Sequence, residues 1–104
     1  MNFAGKTAVV TGGSRGIGAA AARAFYEAGF RVAVLYHSNA EAAAALEKQL
    51  PGITAVQCDV ASRASCELAF RTAEQALGHV DVLVSNAGIA QQKLFTDILS
   101  LIHI

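Results

Sequence analysis

Four short apolar runs, Thr7–Val10, Val32–Leu35, Ile53–Val56 and Val82–Val84, are rich in Val, Ile or Leu and show no polar alternation. Strands covered by helices on both faces have this pattern, because neither face meets water. The stretches between them read as helices. Ile17, Ala21, Ala24 and Ala28 recur at i, i+4, i+7 and i+11, which predicts one buried helix face, with Gly29 as its C-terminal cap. Ser38 followed by Glu41 has the spacing of a capping box, and Pro51 ends that second helix near Leu50. A third helix is predicted from Ser62 to Leu77, with Cys66, Phe70, Ala73 and Leu77 on one face and Gly78 closing it. The order β-α-β-α-β-α-β, joined by right-handed crossovers, is that of an α/β doubly wound parallel sheet. Such sheets hold ligands beyond the carboxyl ends of their strands, where strand order reverses. Here that point is expected between the first and fourth strands.

Composition narrows the classes of function. A chain of 104 residues suits one domain. With 54% hydrophobic and 15% charged residues it lacks the profile of a disordered segment. A formal net charge of zero, with no basic block, gives no electrostatic reason to expect nucleic acid or an anionic membrane as partner. No apolar run approaches the ~18 residues that span a bilayer. Met1 to Lys6 contains no basic region leading into an apolar stretch, so a cytoplasmic location is expected. Cys58 and Cys66 fit no C-x-x-C or zinc spacing and read as reduced thiols acting as small hydrophobes; no metal site is expected.

Between the first strand and first helix lies T-G-G-S-R-G-I-G, Thr11 to Gly18. Gly12 lets the chain turn out of the strand. Gly16 removes the Cβ that would obstruct a pyrophosphate, and Gly18 lets the helix pack closely on the sheet. The unpaired amides of the first helical turn, aided by the helix dipole, then face an anion. Gly12, Gly13, Ser14, Arg15, Gly16, Ile17 and Gly18 are therefore candidate dinucleotide contacts in a Rossmann-type domain.

The loop T-G-x-x-x-G-x-G resembles the cofactor fingerprint of the classical short-chain dehydrogenase/reductase family. The extended branch has T-G-x-x-G-x-x-G, and Arg15 stands where it needs Gly. Cys58-Asp59-Val60 and Ser85-Asn86-Ala87-Gly88 agree with the same family, although Ser85 stands where Asn is usual. The resemblance runs from Met1 to about Asp97, and Met1–Lys6 looks like the opening of 3-oxoacyl-(acyl carrier protein) reductases. It implies that Asp59 and the Val60 amide hold adenine, and that Asn86, Ala87 and Gly88 line the pocket beside the adenosine ribose. For the parent protein it implies hydride transfer between nicotinamide and a small-molecule or acyl-carrier ketone, in a homo-oligomer. The alternative reading is a nucleotide-binding module without catalysis.

NADP(H) is expected over NAD(H). NAD-binding sheets of this kind place a carboxylate at the end of the second strand, for the ribose 2′-hydroxyl. Here Leu35-Tyr36-His37-Ser38 stands there, with no carboxylate before Glu41. Arg15 can supply positive charge to a 2′-phosphate, and His37 and Ser38 can donate hydrogen bonds. No catalytic residue carries over. The family's Tyr is followed by Lys at the fourth position, whereas Tyr26 is followed by Phe30 and Tyr36 by Ala40. Residues 1–98 are thus read as a partial NAD(P)-binding domain that stops after the fourth strand. Leu99-Ser100-Leu101-Ile102-His103-Ile104 reads as a non-native apolar tail, matching the translation of a transposon-end sequencing adapter.

Overall fold

A computed structural model describes residues 5–12, 16–59 and 62–85. Strands β1 (Thr7–Thr11), β2 (Arg31–Tyr36), β3 (Thr54–Gln57) and β4 (Val82–Ser85) alternate with helices α1 (Gly16–Glu27), α2 (Ala40–Gln49) and α3 (Arg63–Leu77). The strands form one parallel sheet in the order β3-β2-β1-β4. Strand order reverses between β1 and β4, as expected from the sequence.

Alternate strand residues feed two cores. Val9, Ala33 and Leu35 face α3, packing with Cys66, Ala69, Phe70, Ala73 and Leu77. Val10, Val32 and Val34 face α1 and α2, packing with Ala22, Leu46, Leu50 and Ile53. The central strand β1 is buried at all five positions and β2 at four of six. Thr54, Ala55 and Val56 of β3 and Val82, Leu83 and Val84 of β4 are only half-buried, because among the described residues these strands are the sheet's edges. At the amino end of the sheet, the Thr7 amide donates to Asp81 Oδ2 at 2.9 Å and His79 Nε2 lies 2.9 Å from the same oxygen. None of the described helices is long and apolar enough to cross a membrane.

α3 matches its sequence reading. The Ser62 side chain caps it by accepting from the Ser65 amide, and Gly78 closes it at φ 90°. Cys66, Phe70, Ala73 and Leu77 are all buried. Gly29 follows α1 at φ 101°, the left-handed conformation expected of a glycine cap.

Two expectations are corrected. The buried side of α1 is not the Ile17–Ala21–Ala24–Ala28 face: Ile17 is 78% exposed, and Ala24 and Ala28 are exposed too. Gly18 and Ala22 are buried instead, with Ala21, Phe25 and Tyr26 packed beside them against the sheet core. Apolar residues occupy almost all of α1, so apolar spacing does not fix the phase. The small residues do, since Gly18 and Ala22 let the backbone approach the sheet. The second correction is the cap of α2. Asn39, not Ser38, is the N-cap, its Oδ1 accepting from the Ala42 amide at 3.0 Å. Asn ranks at least as high as Ser in this role, and choosing it moves the start by one residue and dissolves the Ser38–Glu41 box.

Candidate functional site

The carboxyl ends of the four strands lie level. Thr11 pairs with Leu35 and Ser85, Leu35 with Val56, and Tyr36 with Gln57. Everything that follows each strand therefore emerges on one side of the sheet.

After β1, Gly12 adopts φ 66° and its amide donates to the Leu35 carbonyl at 2.7 Å. The positive φ turns the chain out of the sheet, a conformation open to glycine at no steric cost. Gly16, the first residue of α1, adopts φ 64°, and a Cβ built on it meets none of the described residues within 4 Å. Among the described residues the space above it is open, as a pyrophosphate's approach requires. Gly18 is buried and Ile17 is exposed, so close helix–sheet contact is made by Gly18 while Ile17 projects into solvent.

The ends of β2 and β3 form a cavity of about 380 Å³ lined by His37, Gln57, Asp59 and Ser65. The Cys58 amide donates to the Tyr36 carbonyl at 2.8 Å, and the Gln57 side-chain amide donates to the His37 carbonyl at 3.2 Å. On the other wall the Asp59 amide donates to the Ser65 hydroxyl at 2.9 Å. His37 Nε2 lies 3.7 Å from Asp59 Oδ1, an ion pair whenever the imidazole is protonated. His37, Ser38 and Asp59 are exposed. Beneath this cavity, burial pushes the Cys58 thiol up to about 12, reinforced by the hydrogen bond and charge of Cys66 and by the charge of Asp59.

The structure thus brings Gly12, Gly16, Ile17, Gly18, His37, Ser38 and Asp59 to the same side of the sheet. Gly13, Ser14, Arg15, Val60, Asn86, Ala87 and Gly88 lie outside the described residues, as does the tail at 99–104. Gln57 and Ser65 were missed in the sequence. Gln57 closes a strand read only for its apolar residues, and Ser65 lies inside a helix, where Ser carries no motif. Among the described residues no group of three or more His, Cys, Asp or Glu is placed to hold a metal ion.

A family model described as short chain dehydrogenase matches residues 6–100. The acetoacetyl-CoA reductase of Paracoccus denitrificans is 44% identical over 90 residues, covering 86% of this chain and 37% of that protein. A dehydrogenase/reductase from Sinorhizobium meliloti 1021 superposes with a TM-score of 0.89 at 32% identity, covering 96% of this chain and 50% of that one. A short chain dehydrogenase from Burkholderia cenocepacia J2315, solved in complex with NADP, superposes with a TM-score of 0.90 at 28% identity over 97% of this chain and 52% of that one. The chain therefore spans little more than a third of the acetoacetyl-CoA reductase and about half of each solved structure.

Proposed function

Because the chain belongs to the short-chain dehydrogenase family, we propose that it is the N-terminal, cofactor-binding part of an NADPH-dependent carbonyl reductase. The observation that carries this reading is the level set of strand ends. It places a glycine turn with open space above Gly16 beside a polar cavity at the β2 and β3 ends. The residues fit a dinucleotide. Gly12, Gly13, Ser14, Gly16, Ile17 and Gly18 hold the pyrophosphate, Asp59 and Val60 hold the adenine, and Asn86, Ala87 and Gly88 flank the ribose. Arg15, His37 and Ser38 take the 2′-phosphate. In support, β2 ends at Tyr36 and is followed by exposed His37 and Ser38 with no acidic side chain of its own. The complex of the Burkholderia cenocepacia relative with NADP points the same way.

The nicotinamide, when bound, supplies or accepts hydride at its C4. These residues bind and orient; proton transfer and substrate positioning fall to residues beyond this chain. The substrate class proposed is a ketone or the matching secondary alcohol, with a 3-oxoacyl thioester favoured by the likeness to acetoacetyl-CoA reductase. A cytoplasmic, homo-oligomeric parent belongs to the same proposal. A second reading, a nucleotide-binding module without catalysis, is favoured for the 104-residue chain by Tyr26 and Tyr36, neither of which has Lys at the fourth following position.

The test is calorimetric titration of the chain with NADP⁺ and with NAD⁺, beside a reductase assay of the uninterrupted protein. Tighter binding of NADP⁺ is expected. Equal affinities, or none for either, refute the assignment of the β2 end.

A further inference from the structure

Cys58 and Cys66 are buried thiols with their sulfurs 3.4 Å apart. Cys58 directly follows β3, and Cys66 sits in the second turn of α3, so their contact joins a strand end to a helix start beneath the His37–Asp59 cavity. The Cys58 S–H donates to Cys66 Sγ, and the Cys66 S–H donates to the Asp59 carbonyl at 3.5 Å. Val9, Ala33, Leu35, Ala69 and Phe70 belong to the same core cluster. Sulfurs in van der Waals contact at 3.4 Å have about 1.4 Å to close to reach the ~2.05 Å of a disulfide.

We infer that Cys58 and Cys66 form an intramolecular disulfide when the folded chain meets hydrogen peroxide. The step balances in two stages. One thiol gives its sulfur to the peroxide, the O–O bond breaks, and a sulfenic acid and one water result. The second sulfur then displaces the hydroxyl, forming S–S and breaking S–O, and its proton leaves with the hydroxyl as a second water. Two thiols are oxidised and one peroxide is reduced. A thiol reductant reverses the bond by exchange through a mixed disulfide.

Burial sets the pace. The Cys58 thiol, pushed up to about 12, is protonated at neutral pH, so the reaction is slow there and quickens as pH rises. Oxidation also removes the S–H that the Asp59 carbonyl accepts and replaces a sulfur contact with a covalent tether. The Asp59 carbonyl keeps the hydrogen bond it accepts from the Ser62 amide at 3.0 Å, and the Asp59 amide keeps its bond to the Ser65 hydroxyl.

The probe is hydrogen peroxide, applied to an equal mixture of ¹⁴N- and ¹⁵N-labelled reduced chain under native conditions. The reaction is stopped with N-ethylmaleimide, and tryptic peptides are weighed without reductant. Trypsin cleaves after Lys48, Arg63 and Arg71, so the two cysteines fall in separate peptides, 49–63 and 64–71. The expected product is a linked pair lighter by two hydrogens than its parts, carrying one isotope throughout, and lost on adding dithiothreitol. Cys58→Ala and Cys66→Ala each abolish it. Mixed-isotope pairs, sulfinic or sulfonic acids without linkage, or two thiols unchanged after prolonged exposure overturn the inference. This readout needs no nucleotide, so its failure leaves the cofactor reading standing, and failed NADP⁺ binding leaves the disulfide standing.

Discussion

The guanidinium of Arg31 at the start of β2 donates to the Leu77 carbonyl at 2.8 Å, where α3 ends, and also to the Ala76 carbonyl at 2.7 Å. The last carbonyls of a helix lack intrahelical partners and carry the negative end of its dipole. A planar fork that meets two of them at once is a charge-assisted cap. It ties the crossover helix to the strand that helix packs on. Arg31→Ala is expected to cost ~1–2 kcal/mol, at or below the lower end of the range of roughly 1.5–3 kcal/mol for charged hydrogen bonds, because one of the two is exposed. Arg31→Lys should recover only part, since an ammonium lacks the fork. Urea denaturation measures both; an unchanged midpoint for Arg31→Ala would show that water caps α3 equally well.

A second tie, at the amino end of the sheet, is pH-dependent. The Thr7 backbone N–H, then the positive charges of His79 and Lys6 and the His79 hydrogen bond, hold the Asp81 carboxyl below its ordinary value, against an opposing desolvation. A carboxylate whose folded value is depressed stabilises the fold fully above its unfolded value. That stability fades as pH falls below the ordinary carboxylate range of about 4 and through the folded value. Asp81→Asn should flatten this acid limb while leaving an amide oxygen for Thr7. Stability followed by fluorescence between neutral and strongly acidic pH tests it, and an acid limb of equal slope in the variant would remove Asp81 from the account.

The glycine turn makes a sharper claim on binding. Gly16→Val places a branched side chain in the open space above Gly16, where a pyrophosphate would lie, and also strains a backbone at φ 64°. Loss of NADP⁺ affinity by about tenfold or more, some 1.4 kcal/mol, is expected. Gly18→Val should also remove binding, but Gly18 is buried, so its effect falls on packing too. Circular dichroism separates folding from binding. A Gly16→Val chain that folds and titrates as the parent does would remove the phosphate-loop assignment.

How legible the molecule was in its sequence depends on how far each signal is local. The strands and α3 were readable because apolar runs and the Cys66–Phe70–Ala73–Leu77 spacing state directly which atoms avoid water. The phase of α1 was not, because GIGAAAARAFYE is apolar almost all round and only the need for close approach at Gly18 and Ala22 selects a face. Asn39 over Ser38 turned on one residue between two good caps. At the site, glycines and the Asp after β3 were visible because backbone turns and strand ends are local. The Gln57–His37 and Asp59–Ser65 bonds were not, nor the Arg31–Leu77 cap, since each joins residues brought together only by folding.

The parent protein proposed above offers a kinetic readout of the same cofactor preference. It is expected to favour NADPH over NADH in kcat/KM, and Arg15→Ala should narrow the ratio by about tenfold or more, the worth of a charge-assisted hydrogen bond of roughly 1.5–3 kcal/mol. His37→Ala should narrow it less, because His37 already stands 3.7 Å from the Asp59 carboxylate and shares its donor capacity with it. Equal kcat/KM for the two cofactors in the unmodified protein would refute the reading of Arg15 and of the β2 end together.

The expressed 104-residue chain is expected to associate with itself and to reduce no ketone. Among the described residues β4 pairs with β1 alone, and its Val82, Leu83 and Val84 are only half-buried. An open parallel edge offers unpaired amides and carbonyls to another chain. Of the α1 face that the sequence marked as buried, Ile17, at 78%, and Ala24 and Ala28 are exposed instead. Ala24 and Phe25 of that helix, with Ala28 and Phe30 just past its end, line an apolar hollow of about 250 Å³. Exposed apolar surface of this kind drives association. A chain near this length also buries only roughly 60–70% of its unfolded surface, so its stability margin is small. Weak nucleotide affinity is nevertheless expected, since the cavity at His37, Gln57, Asp59 and Ser65 is formed within the chain. Analytical ultracentrifugation and a coupled NADPH-oxidation assay decide the matter: a stable monomer that turns over a carbonyl substrate would show that this chain needs nothing further to be an enzyme.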